Sequence, residues 1–121
     1  NWAGAAYIYE ITQTNEFIEV SKLTALDRMA EDWFGFSINL DQENVVVTAP
    51  FNGLDDNGGN LIVDAGAAYI YELIDNEWVF SQKIVASDRV TEDNFGSFVF
   101  AYDSNILIGV PLQEFDENGD N

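Results

Sequence analysis

Two loops, one after Pro50 and one after Pro111, concentrate side-chain oxygens that could bind a divalent cation. In each loop, acidic and amide side chains stand at alternate positions before a glycine, which is the spacing that calcium-binding loops use. Calcium takes about six to eight oxygen ligands, and each loop offers roughly half of them. Two interpretations therefore stay open: hydrated turns built from Asn, Asp and Gly, or calcium sites formed by Asp55, Asn57 and Asp64 in the first loop and by Glu114, Asp116 and Asn118 in the second.

Carboxylate pairs occur at Glu31-Asp32 and again at Glu92-Asp93. A glycosidase needs two carboxylates that face each other across a cleft, whereas neighbouring residues on a strand point to opposite faces. The pairs also occur in both halves of the chain, although a catalytic site would need only one. We therefore interpret them as turn caps, and we interpret the repeated Asp27-Arg28 and Asp88-Arg89 as ion pairs or as bonds within turns.

The composition excludes several kinds of catalytic site. The 121 residues include no Cys and no His, which removes thiol nucleophiles, disulfides, Ser-His-Asp triads and the usual zinc sites. The net charge of −18 opposes binding to nucleic acid and to anionic lipid surfaces. We therefore predict a protein that is not an enzyme and that has no cofactor other than the candidate calcium.

The sequence elements that flank these loops occur twice in the chain, as an internal repeat. The sequence GAAYIYE occurs at Gly4–Glu10 and at Gly66–Glu72, and further identities follow at an offset of 61 residues. This organisation predicts one repeat at about residues 4–60, a second at about 66–121 and a linker at 61–65. If the end of the chain were joined to its start, the residues before Gly4 would resemble those before Gly66. We therefore expect the chain to be a segment of a longer periodic array.

Four short strands are predicted in each repeat, which is the size of a propeller blade. Phe34–Leu40 alternates, with its aromatic and aliphatic side chains on one face, and Asn44–Ala49 and Asn105–Val110 are apolar throughout, as in strands covered on both faces. A blade is apolar on both faces, so it must stack on another. The full set of predicted strands is Ala5–Ile11, Glu16–Thr24, Phe34–Leu40 and Asn44–Ala49, then Ala67–Leu73, Glu77–Val85, Phe95–Tyr102 and Asn105–Val110.

Three short motifs recur in the same order along the chain. They are Phe34-Gly35, Thr48-Ala49-Pro50 and Gly66–Tyr71, with the second set Phe95-Gly96, Ile106–Pro111 and Gly4–Tyr9. The order of these motifs resembles the FG-GAP repeat, the blade repeat of integrin-α-like β-propellers and of many bacterial surface proteins. The DxDxDG calcium loop of the integrin type is missing from Phe36–Val47, so the resemblance is to the bacterial variant, which lacks that calcium site.

The resemblance implies an all-β fold of two tandem four-stranded propeller-type blades that are shifted in phase along the chain. Residues 34 to about 85 would form one whole blade. Residues 5–24 would form the outer pair of strands of a second blade, and residues 95–110 the inner pair of a third. We therefore expect the end blades to be completed by a neighbouring repeat or subunit.

This arrangement favours a non-enzymatic structural protein, extracellular or on the cell surface, that assembles head to tail with copies of itself into a filament or larger array. The alternative is an adhesion or ligand-binding fragment of a closed propeller that binds a cell-surface protein or a glycan, with calcium or without. Most repeated aromatic residues are interpreted as core between blades. The residues expected to contact a neighbouring copy are Trp2, Tyr7, Tyr9, Phe95 and Phe98.

Overall fold

The computed structural model describes residues 2–114, which consist of strands joined by turns and loops. This part of the chain contains no helix, and so no helix that could cross a membrane. The predicted all-β fold is confirmed. The eight strands are β1 (Ala6–Ile11), β2 (Phe17–Leu23), β3 (Ile38–Leu40), β4 (Asn44–Ala49), β5 (Ala67–Ile74), β6 (Glu77–Ile84), β7 (Phe98–Tyr102) and β8 (Asn105–Gly109).

The strands form one four-stranded antiparallel sheet and two antiparallel pairs. The sheet has the order β3-β4-β5-β6 and is called here the central blade; β1-β2 is the first half-blade and β7-β8 is the last half-blade. The predicted phase shift is confirmed, because one four-stranded blade lies in the middle of the chain and each flanking segment forms a pair of strands.

Both faces of the central blade are covered, and the side chains of β4 show how. Val45 and Val47 point to one face, where they form a buried cluster with Leu23 of the first half-blade. Val46 points to the opposite face and packs in a second cluster with Val99 of the last half-blade. Because alternate residues of a strand point to opposite faces, a strand that is apolar throughout needs a covering layer on each side.

Three repeated aromatic side chains fill the first of these clusters. The ring centre of Phe34 lies 5.3 Å from that of Tyr69 and 6.3 Å from that of Tyr71, and both pairs meet edge to face. This geometry suits the charge distribution of aromatic rings and adds to the hydrophobic contribution of burying them. The interpretation of these repeated aromatics as core between blades is confirmed.

The segment Phe34–Leu40, predicted as a single strand, is a strand only from Ile38 onward. Gly35 has a φ of 98°, which turns the chain before the strand begins. Phe34 therefore points into the core, while the other aromatic and aliphatic side chains of the segment are exposed. The prediction that all four side chains share one face was wrong for Phe34, because alternation applies only where the backbone stays extended.

The second copy departs from the prediction in the same way. Phe95–Tyr102 is a strand only from Phe98, because Gly96 has a φ of 93°. The apolar run Asn105–Val110 was predicted to be covered on both faces, and this is wrong for residues 2–114, in which β8 is mostly exposed. Strand β4 is buried because a half-blade lies on each of its faces, whereas the described chain covers β8 on one side at most.

Gly4 and Gly66 lie where successive blades touch backbone to backbone. Gly66 forms a parallel bridge with Phe95, and Gly4 forms the equivalent bridge with Phe34. A Cβ atom on Gly66 would lie 2.1 Å from the carbonyl oxygen of Phe95, and one on Gly4 would lie 2.0 Å from that of Phe34. Only glycine allows this approach, which is the physical reason that the repeated GAAYIYE begins with glycine.

We expect Gly66→Ala to lower the free energy of unfolding by at least about 3 kcal/mol, because the new Cβ would overlap the backbone of Phe95. Gly58→Ala is the matched control, since Gly58 also has a positive φ, 77°, but nothing lies within 4 Å of its Cβ position. Its cost should be about 1 kcal/mol, from backbone strain alone. Urea unfolding measures both, and equal costs would contradict the close approach.

Candidate functional site

A cluster of charged and polar side chains joins the first half-blade to the central blade. We call it the ionic junction, and its members are Asp27, Asp32, Asn52, Tyr69 and Lys83. The side chain of Lys83 is buried on β6. Its ammonium group has three donors, and each is used: one for Asp27 Oδ2 at 2.5 Å, one for Asn52 Oδ1 at 2.8 Å and one for the carbonyl oxygen of Leu54 at 2.9 Å.

The two carboxylates of the junction lie in the segment that connects β2 to β3. Asp27 Oδ1 accepts a hydrogen bond from the Tyr69 hydroxyl at 2.8 Å. Asp32 Oδ2 accepts one from Asn52 Nδ2 at 3.1 Å and one from the backbone amide of Met29 at 2.6 Å. A buried charge is costly unless it is paired or well hydrogen-bonded. Asp27 has the ammonium group of Lys83 as its partner, and Asp32 is held by hydrogen bonds alone.

The phenols beside the junction are held in their neutral form. Burial raises the pKa of Tyr71 to about 12, and the negative charge of Asp27 adds to the effect. Burial also raises the pKa of Tyr69, with its hydrogen bond to Asp27 as the second cause. The Tyr71 hydroxyl donates to the carbonyl oxygen of Thr24 at 3.0 Å. Because these groups are engaged with one another, the arrangement clamps two blades together rather than preparing a base or a nucleophile.

The sequence repeat provides a second set of the same kinds of residue, divided between the two ends of the structure. The aromatic and cationic members lie on the first half-blade, and the acidic and amide members lie in the loops around the last half-blade. In the order Asp27, Asp32, Asn52, Tyr69 and Lys83, the counterparts are Asp88, Asp93, Gln113, Tyr7 and Lys22.

The cationic half of this second set is already arranged as in the junction. The ammonium of Lys22 lies 5.3 Å from the ring centre of Tyr7, the same distance that separates Lys83 from the ring of Tyr69. Within residues 2–114, the only ion pair is the one between Lys83 and Asp27. Lys22 therefore has the aromatic neighbour of its counterpart but no carboxylate from the described chain.

The acidic half lies at the opposite end. Asp93 is fully buried, and its Oδ2 accepts a hydrogen bond from the backbone amide of Val90 at 2.8 Å. Its Oδ1 has no hydrogen-bond partner among residues 2–114. Gln113 replaces the asparagine of the junction and donates to Asp88 Oδ2 at 3.1 Å, not to Asp93. This end therefore has the carboxylates of a junction without its lysine.

The repeated carboxylate pairs act as turn caps, as predicted. In each pair the aspartate accepts a bond from a backbone amide three residues earlier, at 2.6 Å for Asp32 and 2.8 Å for Asp93. The preceding residues, Glu31 and Glu92, have φ values of 71° and 69°. This positive φ turns the chain just before the FG segment, which is Phe34-Gly35 in the first copy and Phe95-Gly96 in the second. The adjacent carboxylates of each pair therefore do not face each other across a cleft.

In the repeated Asp-Arg pairs, the aspartate and the arginine bind different partners instead of each other. Asp27 pairs with Lys83 across the blades rather than with its neighbour in sequence. Arg89 donates to the carbonyl oxygens of Gly53 and Asn60, which lie in a distant loop rather than in its own turn. Arg89 thereby ties the loop after β6 to the acidic loop after β4. The expected ion pairs within Asp27-Arg28 and Asp88-Arg89 are not formed among residues 2–114.

The two loops predicted as calcium sites differ in what the structure describes. In the first, the carboxylate of Asp55 is occupied by its own loop, because it accepts bonds from the amides of Asn57 and Gly59 and from the side chain of Asn60. The bond from Gly59 is the main cause that lowers the pKa of Asp55. This geometry matches the interpretation as a turn.

Asp64 is not part of that turn, and it lies instead beside Trp33 and Phe51. Within residues 2–114, no group of three acidic side chains is placed to hold a metal ion. Glu114 is exposed at the edge of the described chain. Asp116 and Asn118 lie outside the described residues, so calcium binding by the second loop stays a prediction.

One of the five predicted contact residues is inside the chain. Phe95 is only 8% exposed and packs against Val46 and Ala68 of the central blade. The prediction for Phe95 was wrong, because the turn at Gly96 directs its ring inward. The other four are about half exposed or more, and their contact with a neighbouring copy stays a prediction: Trp2, Tyr7, Tyr9 and Phe98.

Sequence reasoning did not identify the ionic junction. Lys83 and Asp27 are 56 residues apart, and nothing in their local sequence indicates that they meet. A signal was nevertheless present, because Lys22 and Lys83 are equivalent positions of the repeat in a chain with only four basic residues. A cation that is kept in both copies of so acidic a protein indicates a specific anionic partner.

Comparison with known proteins adds one finding to this geometry. A family model described as FG-GAP repeat matches the chain twice, over residues 17–71 and 78–121. Each match includes an FG segment and the proline loop that follows it. No curated protein matches the chain.

Replacing Lys83 by methionine should lower the free energy of unfolding by about 3 kcal/mol, because Asp27 and Asn52 would lose their buried partner. Lys22→Met is the matched control at the equivalent position, and it should change stability by no more than about 1 kcal/mol. Chemical denaturation of both variants tests this. A similar loss in the two would mean that the junction contributes nothing beyond packing of the lysine stem.

Alkaline pH should weaken the fold through the buried phenols. Since the folded protein favours neutral Tyr71, this contribution is complete below pH 10 and is lost as the pH rises toward about 12. The free energy of unfolding should therefore fall over this interval, and Tyr71→Phe should make the fall less steep. Urea unfolding at a series of pH values measures the slope, and an unchanged slope in the variant would refute the assignment.

Proposed function

Because the chain belongs to the FG-GAP repeat family, we propose that it is a non-enzymatic structural protein whose copies join head to tail. FG-GAP repeats build β-propeller-like modules, are typical of extracellular or surface proteins and are typically non-enzymatic. The proposal places this chain outside the cell or on its surface. In each contact, the last half-blade of one copy and the first half-blade of the next would form one complete blade.

The observation that carries the proposal is the complementarity of the two half-blades. By the sequence repeat, β7-β8 corresponds to β3-β4, and β1-β2 corresponds to β5-β6. Within the central blade, β4 pairs with β5, and Val47 lies opposite Tyr69. The equivalent pairing joins β8 of one copy to β1 of another, with Ile108 opposite Tyr7. Neither of these two edges is paired within residues 2–114.

Exposure of equivalent tyrosines supports the same arrangement. Tyr69 and Tyr71 are 1% and 4% exposed in the complete blade, whereas their counterparts Tyr7 and Tyr9 are 49% and 51% exposed in the half-blade. Burial of a large aromatic side chain contributes about 1.5–3 kcal/mol. A contact that gave the first half-blade the surroundings of β5-β6 would therefore stabilise association through these two rings alone.

Electrostatics would set the register of this contact. A complete blade formed between two copies would bring Lys22 of one copy to Asp88 and Asp93 of the other, in the places that Lys83, Asp27 and Asp32 occupy in the ionic junction. Lys22 would gain a carboxylate and Asp93 would gain a nearby positive charge. In a chain with net charge −18, such local pairing favours one orientation over all contacts between acidic faces.

The proposal predicts a charge-reversal pattern in assembly. The parent chain should form particles whose mass rises with concentration, measured by light scattering, and filaments visible by electron microscopy. Lys22→Asp alone and Asp88→Lys alone should each weaken association at least tenfold, because each leaves two like charges facing each other. The double variant should recover most of the loss, because the pair is restored with its signs exchanged.

Glu16→Lys is the control, because it changes the net charge by as much as Asp88→Lys at a position whose counterpart, Glu77, is exposed in the central blade. It should leave association unchanged. A parent chain that stays monomeric at all concentrations would contradict self-assembly and favour the adhesion or ligand-binding module instead. Association without recovery in the double variant would contradict the pairing of Lys22 with Asp88.

A further inference from the structure

An open pocket of about 200 Å³ combines aromatic rings with carboxylates beside the FG segment of the central blade. Glu31, Trp33, Phe51 and Asp64 line it. The ring centre of Trp33 lies 4.9 Å from that of Phe51, and the two planes meet at 64°. The pocket therefore has one wall of aromatic side chains and one wall of carboxylates.

Two more aromatic residues extend the apolar wall. The ring centre of Trp33 lies 6.0 Å from that of Trp2 and 6.3 Å from that of Phe36. All three rings are partly exposed to solvent. The face of an indole ring carries partial negative charge, and it attracts a cation that lies within about 6 Å.

The acidic wall is not neutralised by the described chain. Burial raises the pKa of Asp64, and the charges of Glu92 and Glu31 add to the effect. None of these three carboxylates forms an ion pair within residues 2–114. Glu31 and Asp64 therefore place two carboxylates opposite the aromatic wall, with the charge of Glu92 near Asp64. A positive charge in the pocket would be stabilised on both sides.

Comparison of the two copies shows that the aromatic residues of the pocket are not part of the repeated blade sequence. Residues that build blades recur in both copies, whereas the aromatic residues of the pocket do not. Trp33 corresponds to Asn94, Phe36 to Ser97 and Phe51 to Leu112, while Trp2 corresponds to Asp64 itself. Since the second copy folds the same turn without these rings, the blade architecture does not require them.

The backbone conformation at Trp33 also indicates that the blade fold does not require a tryptophan there. Trp33 has a φ of 57°, and Asn94 has a φ of 56° at the equivalent position. Asparagine tolerates this left-handed conformation, but a bulky aromatic residue adopts it at a cost of about 1–2 kcal/mol. The first copy therefore carries a residue that strains the turn, and strained residues of this kind concentrate at binding sites.

We propose that this pocket binds an alkylammonium group, whose charge lies between the indole of Trp33 and the carboxylates of Glu31 and Asp64. A metal ion suits the pocket less well, because one whole wall is aromatic carbon and offers no oxygen ligand. A neutral sugar could stack on the rings, but it would not relieve the repulsion among the carboxylates. The proposal is independent of assembly, because all the lining residues belong to a single copy.

The alkylammonium group could belong to a small quaternary ammonium compound or to the side chain of a lysine on another protein. Titration with choline probes the first, and titration with Nα-acetyl-lysine methylamide probes the second. The neutral isostere 3,3-dimethyl-1-butanol is the control for apolar contact. Tryptophan fluorescence or calorimetry on the full chain, at fixed ionic strength, should show that at least one cation binds at least tenfold more tightly than the isostere.

Trp33→Asn is the informative variant, because it installs the residue that the second copy carries at this turn. It should weaken cation binding at least tenfold while leaving the unfolding midpoint unchanged or raised. Asp64→Asn should also weaken binding, since asparagine keeps the shape and removes the charge. Trp78→Phe, a change on β6 away from the lining residues, should leave binding intact.

Two results would overturn the proposal. One is equal affinity for the cations and for the neutral isostere, which would reduce the pocket to an apolar surface. The other is a Trp33→Asn variant that binds as tightly as the parent while remaining folded. Preference for choline over the lysine derivative, or the reverse, identifies which source the pocket accepts.

Discussion

A sheet whose two faces are both apolar needs a covering layer on each side, and this requirement governs the whole structure. The central blade meets it by lying between two half-blades, with Val45 and Val47 facing one and Val46 facing the other. Its two middle strands, β4 and β5, are buried to a degree that the strands of the half-blades do not reach. The order along the chain meets this requirement for the central blade, since the half-blades before and after it in sequence supply its two covering layers.

Two further constraints set how closely successive blades approach. The glycines at the start of each GAAYIYE bring the backbones into contact, because no Cβ fits there. The ionic junction then ties the blades with a lysine whose three donors are all used. Such a network stabilises only one relative position, because a shift of the blades would leave buried charges without partners. At the interface between the first half-blade and the central blade, where Gly4 meets Phe34, close packing and polar pairing therefore act together.

Identical sequence elements have different surroundings in the two copies, and the contrast distinguishes structure from function. Within residues 2–114, Lys22 keeps the aromatic neighbour of Lys83 but has no carboxylate partner, and Asp93 keeps the cap of Asp32 with one oxygen unpartnered. These features recur in both copies, so we assign them to the joining of blades. The rings around Trp33 occur in one copy only, and this contrast is the basis on which ligand binding is proposed for them.

The sequence alone determined the strand content, the blade size and the phase shift, because two copies of one pattern show which elements recur and in what order. It also indicated that Asp32 and Asp93 cap turns, since that effect is local. Only the tertiary structure decided that Gly35 and Gly96 end the alternation, that Phe95 points inward and that Lys83 meets Asp27. These outcomes depend on backbone dihedral angles and on contacts across as many as 56 residues, which periodicity does not encode.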